Sequence, residues 1–164
     1  MNEHLFAIPP EGCHRYQVRV YYEDTDAGGV VYHASYLRFA ERARTEALRD
    51  LGIPHAELAE RFSVMFMVRR IEVDYLRPAR VDDLLSIDTE VLAVGGASVA
   101  LRQTVRGPMG DCAALMLRLA SVRTDGGTKP GRLPPRWHGV LQAMRDARPG
   151  GESDLRAPMR RGAG

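Results

Sequence analysis

The chain has 164 residues, 45% hydrophobic and 27% charged, which fits one folded domain with a full core and argues against a low-complexity body. The formal net charge is +2, and residues 145–164, "RDARPGGESDLRAPMRRGAG", supply all of it with five Arg against two Asp and one Glu; the neutral remainder offers no broad basic face for nucleic acid. Two cysteines, Cys13 and Cys112, without a CxxC pair, support neither a zinc site nor a thioredoxin-like motif and suit a reducing compartment.

The first residues, "MNEHLFAIPPEG", lack a basic region, and the apolar stretch from Leu5 to Ile8 is too short for a signal peptide. The longest apolar run, "VLAVGGASVAL", is broken by Gly-Gly and falls short of the ~18 residues of a spanning helix. A cytoplasmic protein without a transmembrane segment is expected. Alternation of Tyr16, Val18, Val20 and Tyr22 predicts a strand over 16–22. Tyr36, Ala40, Ala43, Ala47 and Leu51, with Leu37 and Leu48 beside them, predict an amphipathic helix over 34–51, stopped by Gly52 and Pro54. A short helix follows over about 54–61. In 63–77 the apolar parity switches at Arg69-Arg70, which predicts a bulge. Strands follow over 84–94, 97–106 and 112–123, the first two joined by a hairpin at Val94-Gly95-Gly96-Ala97. Trp137, Val140, Leu141 and Met144 predict a last helix over 134–146. One strand, one long helix and four hairpin-linked strands make an α+β fold. An antiparallel sheet has one face to bury, so it should wrap the long helix.

The stretch "YYEDTDAGGVVYHASY" connects the first strand to that helix. The first amides of a helix have no intrahelical acceptor and carry partial positive charge, which suits an oxyanion. Gly28 and Gly29 let a ligand approach the backbone without a Cβ in the way. Asp26 stands on the same loop, so a carboxylate sits beside a candidate oxyanion site, an arrangement suited to acyl transfer. By spacing alone, Asp24, Thr25 and Asp26 also read as an ordinary capped turn. The histidines His4, His14, His55 and His138 share no ligand spacing, and there is no GxGxxG or Walker-type loop, so no metal or cofactor is expected.

The segment "YYEDTDAGGVVYHASYLRFAERARTEAL" resembles the 4-hydroxybenzoyl-CoA thioesterase family, and within it the Tol–Pal-associated acyl-CoA thioesterases of Gram-negative bacteria. "VRRIEVDYLRPARVDDLLSIDTEV" resembles the strands that follow in that family, and the likeness spans roughly 16–135. The resemblance implies a hotdog fold, an antiparallel sheet wrapped around one long helix. It implies an acyl-CoA thioesterase without cofactor, in which Asp26 is nucleophile or general base. The backbone N–H at His33 would polarise the thioester carbonyl. Gly28, Gly29, Val30, Tyr32 and Tyr36 would contact substrate. Apart from the resemblance, Arg69, Arg70, Arg77 and Arg80 cluster around the second strand, and arginine suits the phosphates of CoA; Arg69 and Arg70 are the expected contacts. The resemblance further implies a homo-oligomer, most simply a dimer of dimers, with acyl carrier protein as an alternative carrier. The hotdog domain is placed at 16–145, after an N-terminal extension at 1–15 and before a disordered basic tail at 146–164. Two other readings stay open: a hotdog dehydratase or hydratase, and a non-catalytic acyl-binding protein docking on acyl carrier protein or envelope machinery.

Overall fold

The fold is described from a computed structural model that covers residues 7–127 and 129–150. The residues form five strands and three helices: β1 (Cys13–Arg19), α1 (Ser35–Asp50), α2 (His55–Phe62), β2 (Val64–Tyr75), β3 (Leu84–Val94), β4 (Ser98–Gly107), β5 (Gly110–Arg123) and α3 (Pro135–Asp146). The strands make one antiparallel sheet in the order β1-β3-β4-β5-β2, so β1 and β2 are its edges. This is the expected α+β hotdog arrangement.

α1 is seated on the sheet by its small face. Ala40, Ala43 and Ala47 are buried, and Ala40 and Ala43, with Tyr36, Phe39 and Leu51, share one core cluster with Leu85, Ile87, Leu101 and Leu117 from the strands. Alanine leaves only a methyl group between the helix backbone and the sheet, so the two come close. Gln103, fully buried on β4, bridges what remains: its Nε2 donates to the Ala40 carbonyl at 2.9 Å and to Thr89 Oγ1 at 2.9 Å. Its Oε1 accepts from Arg44 at 2.9 Å. A buried amide is tolerable only when so satisfied. At the far end of α1, Asp50 pairs with the ring of buried His14 on β1 at 2.8 Å.

The bulge appears where the parity switch predicts it, between Val68 and Arg70 of β2. The first strand differs from expectation. It occupies Cys13–Arg19, and Tyr22 is 84% exposed because residues 22–24 coil into a 3-10 turn. Leu37 is likewise exposed on α1, while Leu48 is buried. Residues 151–164 of the expected tail lie outside the described residues. Among those described, Arg148 is buried, donates to the Val91 carbonyl at 3.3 Å and lies 3.4 Å from Glu90. No helix among the described residues is long and apolar enough to cross a membrane.

On the opposite face of the sheet from α1, Asp88 is nearly fully buried between Arg15 (2.7 Å) and Arg106 (3.0 Å). Burial pushes its pKa up, but the two guanidinium groups outweigh that and hold the carboxyl below its ordinary value. A carboxyl depressed in the folded state adds stability above its unfolded pKa, and that stability is lost as pH falls through the lower folded value. Asp88→Asn is therefore expected to lower the urea midpoint at neutral pH and to flatten the acid limb of a midpoint-against-pH curve. An unchanged acid limb would remove Asp88 from the account.

Candidate active site

The loop between β1 and α1 is shaped by Asp24. Its carboxylate accepts the Tyr21 amide at 2.9 Å, and its carbonyl accepts the Tyr32 amide at 2.8 Å. The buried acid thus ties together both ends of the loop. Val30 and Val31 bridge to the segment after β2, with the Val31 amide donating to Ala79 O at 2.8 Å. Between these anchors, residues 26–30 turn back on themselves. The Asp26 amide donates to Val30 O at 2.9 Å, Gly29 donates to Asp26 O at 3.0 Å, and the Gly28 amide donates to Asp26 Oδ1 at 2.8 Å. Gly29 has φ +76, a left-handed conformation that glycine adopts without penalty.

The turn delivers Asp26 to a cleft of about 340 Å³ at the start of α1. Of the residues expected at the site, Asp26, Val30, His33 and Tyr36 line it together. Gly28 and Gly29 form the turn that carries Asp26, and Tyr32 stacks at a tilt on His33 with ring centroids 4.4 Å apart. Arg69 and Arg70 are not among the cleft's lining residues. They sit at the bulge of the edge strand, where Arg70 pairs with Glu72.

The cleft has contributors that the sequence pattern did not single out for the site, Tyr75, Leu76 and Pro78; of the four arginines clustered around the second strand, Arg77 lines it. Tyr75 Oη donates to the His33 carbonyl at 2.9 Å, and its ring meets those of His33 and Tyr36 edge-on. Tyr36 Oη in turn accepts the Ala79 amide at 3.2 Å, and burial pushes the Tyr36 phenol pKa up, keeping it protonated. Arg77 lies over Gly110, where a Cβ would sit 3.2 Å from its guanidinium.

The helix start has the character that an oxyanion site needs. The Tyr32 carbonyl accepts from Ser35 N at 2.8 Å, and the His33 carbonyl accepts from Tyr75. Among the described residues, the amides of His33 and Ala34 donate to no acceptor. In a trans peptide the N–H points opposite to the C=O. The bonds on the two carbonyls therefore fix the directions of the His33 and Ala34 donors. Asp26 Oδ2 is likewise without a hydrogen-bond partner among the described residues, since Oδ1 holds Gly28. Asp26 and His33 are both exposed in the single chain.

An antiparallel sheet wrapped on one long helix is the hotdog arrangement. The chain belongs to the thioesterase superfamily, whose match spans residues 28–113, more than half of its length. It is 55% identical over 92 residues to the acyl-CoA thioester hydrolase YbgC of Escherichia coli O6:H1, covering 56% of this chain and 67% of that one. A probable thioesterase from Bartonella henselae is 38% identical with a TM-score of 0.70, covering 74% of this chain and 99% of its own. A thioesterase from Thermus thermophilus, solved in complex with coenzyme A and Zn, is 28% identical with a TM-score of 0.69 and covers 82% and 95%.

The two glycines should respond differently to alanine. Gly29→Ala meets no atom within 4 Å but must hold a positive φ, so it should destabilise by about 1–2 kcal/mol in urea unfolding. Gly28→Ala places its Cβ 3.1 Å from Asp26 Oδ1 and should leave stability within about 0.5 kcal/mol while disturbing the carboxylate. Equal stability losses would show that the turn is not held as described.

Proposed function

We propose that this thioester hydrolase cleaves acyl-CoA to the free acid and CoA, with Asp26 as nucleophile or general base and the helix-start amides as the oxyanion site. The observation that carries the reading is that one cleft is lined both by Asp26, whose carboxylate has a free oxygen, and by His33, whose unpaired N–H is held in direction by the bond on the Tyr32 carbonyl. In the reaction the carbonyl carbon gains an oxygen from water, directly or through an Asp26 anhydride, and the C–S bond breaks. The thiolate leaves and takes up a proton, and the acid departs as its carboxylate. Negative charge on the carbonyl oxygen in the transition state is met by the His33 N–H, with Ala34 beside it. Donors fixed before the reaction need no reorganisation during it. Tyr75, by bonding the His33 carbonyl, holds the next peptide in place and polarises its N–H. Arg77 on the cleft wall suits the phosphates of a CoA carrier better than Arg69 or Arg70, which lie away from it.

Asp26 and His33 are exposed in one chain, whereas an oxyanion site gains strength from excluding water. A second copy is the natural cover. β2 is a twelve-residue edge strand that runs into the cleft; Met65, Val68 and Tyr75 along it, and Leu76 just beyond, are 43–53% exposed. Such an edge is a template for pairing. The reading is therefore of an oligomer in which β2 strands pair and each cleft is closed at the subunit boundary.

A thiol-release assay across an acyl-CoA panel tests the activity. Asp26→Asn should retain fold and mass yet lose at least ~100-fold in kcat, the scale of a lost general base. Near-normal turnover by this variant would reject the role of Asp26. Hydration of an enoyl-CoA without thiol release would support a dehydratase, and neither reaction a binding protein. Light scattering at micromolar concentration should report a multiple of 18.2 kDa; a mass of one chain would contradict the paired-edge reading.

A further inference from the structure

A second cavity, of about 180 Å³, lies between the C-terminal half of α1, the sheet and α3, and it shares no lining residue with the catalytic cleft. Arg44 on its wall is eight residues along α1 from Tyr36, about 12 Å at the helical rise. Leu48, Leu101 and Met144 contribute apolar walls. The polar groups are Arg44, His55, Thr89 and Glu41. Thr89 is occupied by Gln103, and Glu41, on the exposed side of the helix, accepts from Thr45 Oγ1 at 3.0 Å.

Arg44 is the anomaly. Its guanidinium is partly buried and donates to Gln103 Oε1, a neutral acceptor, at 2.9 Å. No carboxylate among the described residues lies within ion-pair distance of it, although Glu41 contributes its charge from farther off. A guanidinium carries five N–H donors. Desolvation holds its pKa below the usual value, as expected for a cation withdrawn from water without a paired anion. His55, packed edge-on against Phe66, is also held below its usual pKa by burial, so near neutral pH it is an uncharged imidazole. It can donate one hydrogen bond without adding charge.

We infer that this cavity is a binding site for a small apolar monocarboxylate, with its carboxylate on Arg44 and its apolar body among Leu48, Leu101 and Met144. Charge selects the head group: an apolar cavity with an unpaired cation at its wall favours an anion over a neutral isostere. Size selects the body. An apolar cavity of about 150 Å³ accepts benzene, so one of about 180 Å³ accepts a benzoate- or hexanoate-sized acid and not a long chain. The inference does not rest on the acyl-CoA reading, because it concerns binding and not turnover. If that reading holds, the acids released by hydrolysis of short or aromatic acyl groups belong to the same chemical class.

Titration calorimetry on the full chain tests this with benzoate and its neutral isostere benzyl alcohol. Benzoate should bind saturably, and at least about tenfold more tightly than benzyl alcohol, the scale of one charge-assisted hydrogen bond. Arg44→Met keeps an unbranched flexible stem and removes the guanidinium and its charge; it should lose the preference for benzoate. Val99→Phe, which fills the cavity from β4, should lose both ligands. Both variants are compared only after their circular dichroism and thermal melting match a folded protein. Should Arg44→Met fail to fold, the two ligands on the wild type and Val99→Phe decide the matter. No benzoate binding, equal binding of benzyl alcohol, undiminished benzoate binding by folded Arg44→Met, or undiminished binding by Val99→Phe would each overturn the inference.

Discussion

The close seating of α1 on the sheet is the constraint from which the rest follows. Ala40, Ala43 and Ala47 remove the side chains that would hold the helix away, and Gln103 then reaches the Ala40 carbonyl from β4. That bond fixes the helix along its axis as well as in depth. With the axis fixed, the start of α1 has one position, and the loop leading to it must fit between that point and the end of β1. Asp24 closes that loop, the contacts to Ala79 and Arg80 anchor it to the segment after β2, and Asp26 is left lining the same cleft as His33. The chemistry proposed for the cleft is therefore a consequence of packing some distance away. Net loss of the Gln103 bonds would cost ~1–3 kcal/mol by leaving buried groups unpaired.

The same seating divides the helix into two working regions. Its first turn offers backbone donors to a cleft that opens toward the edge strand β2. Its second half, through Arg44, Leu48 and Leu51, roofs an apolar cavity closed on another side by α3. Gln103 and Thr89 lie at the junction, so Arg44 is held by the same amide that seats the helix. The superfamily match, over residues 28–113, spans the first region and most of the second. The second is argued from charge, burial and volume alone.

Much of this fold was legible in the sequence because its signals are local. Gly52 and Pro54 mark the end of α1, the parity switch marks the bulge in β2, and Gly95-Gly96 marks the hairpin between β3 and β4. The turn carrying Asp26 was legible for the same reason: Asp and Gly within five residues. What the sequence did not reveal depends on distant partners. Asp88 falls on the polar face of its strand and looks solvent-facing, and Gln103, though on the face of Leu101 and Val105, has no partner that spacing reveals; they are satisfied by Arg15 and Arg106 in the first case and by Ala40 and Arg44 in the second. Tyr75 reaches the site by bonding a carbonyl 42 positions earlier, which no spacing rule captures. Of the four arginines clustered around the second strand, the bulge leaves Arg69 and Arg70 on the edge strand while Arg77, after β2 ends, lines the cleft; spacing alone does not distinguish them.

The central claim is that the backbone at the start of α1, and not the His33 imidazole, stabilises the oxyanion. Proline has no N–H, whereas alanine keeps it, and His33 lies ahead of α1, where its amide makes no hydrogen bond that proline would remove. The decisive measurement is kcat for thiol release by His33→Ala and His33→Pro, on proteins whose circular dichroism and oligomer mass match wild type. The account predicts a loss of about tenfold or less for alanine, from altered packing against Tyr32 and Tyr75. For proline it predicts ~100-fold or more, the scale of one lost oxyanion donor. Alanine as inactive as proline would place the catalysis in the side chain and contradict it.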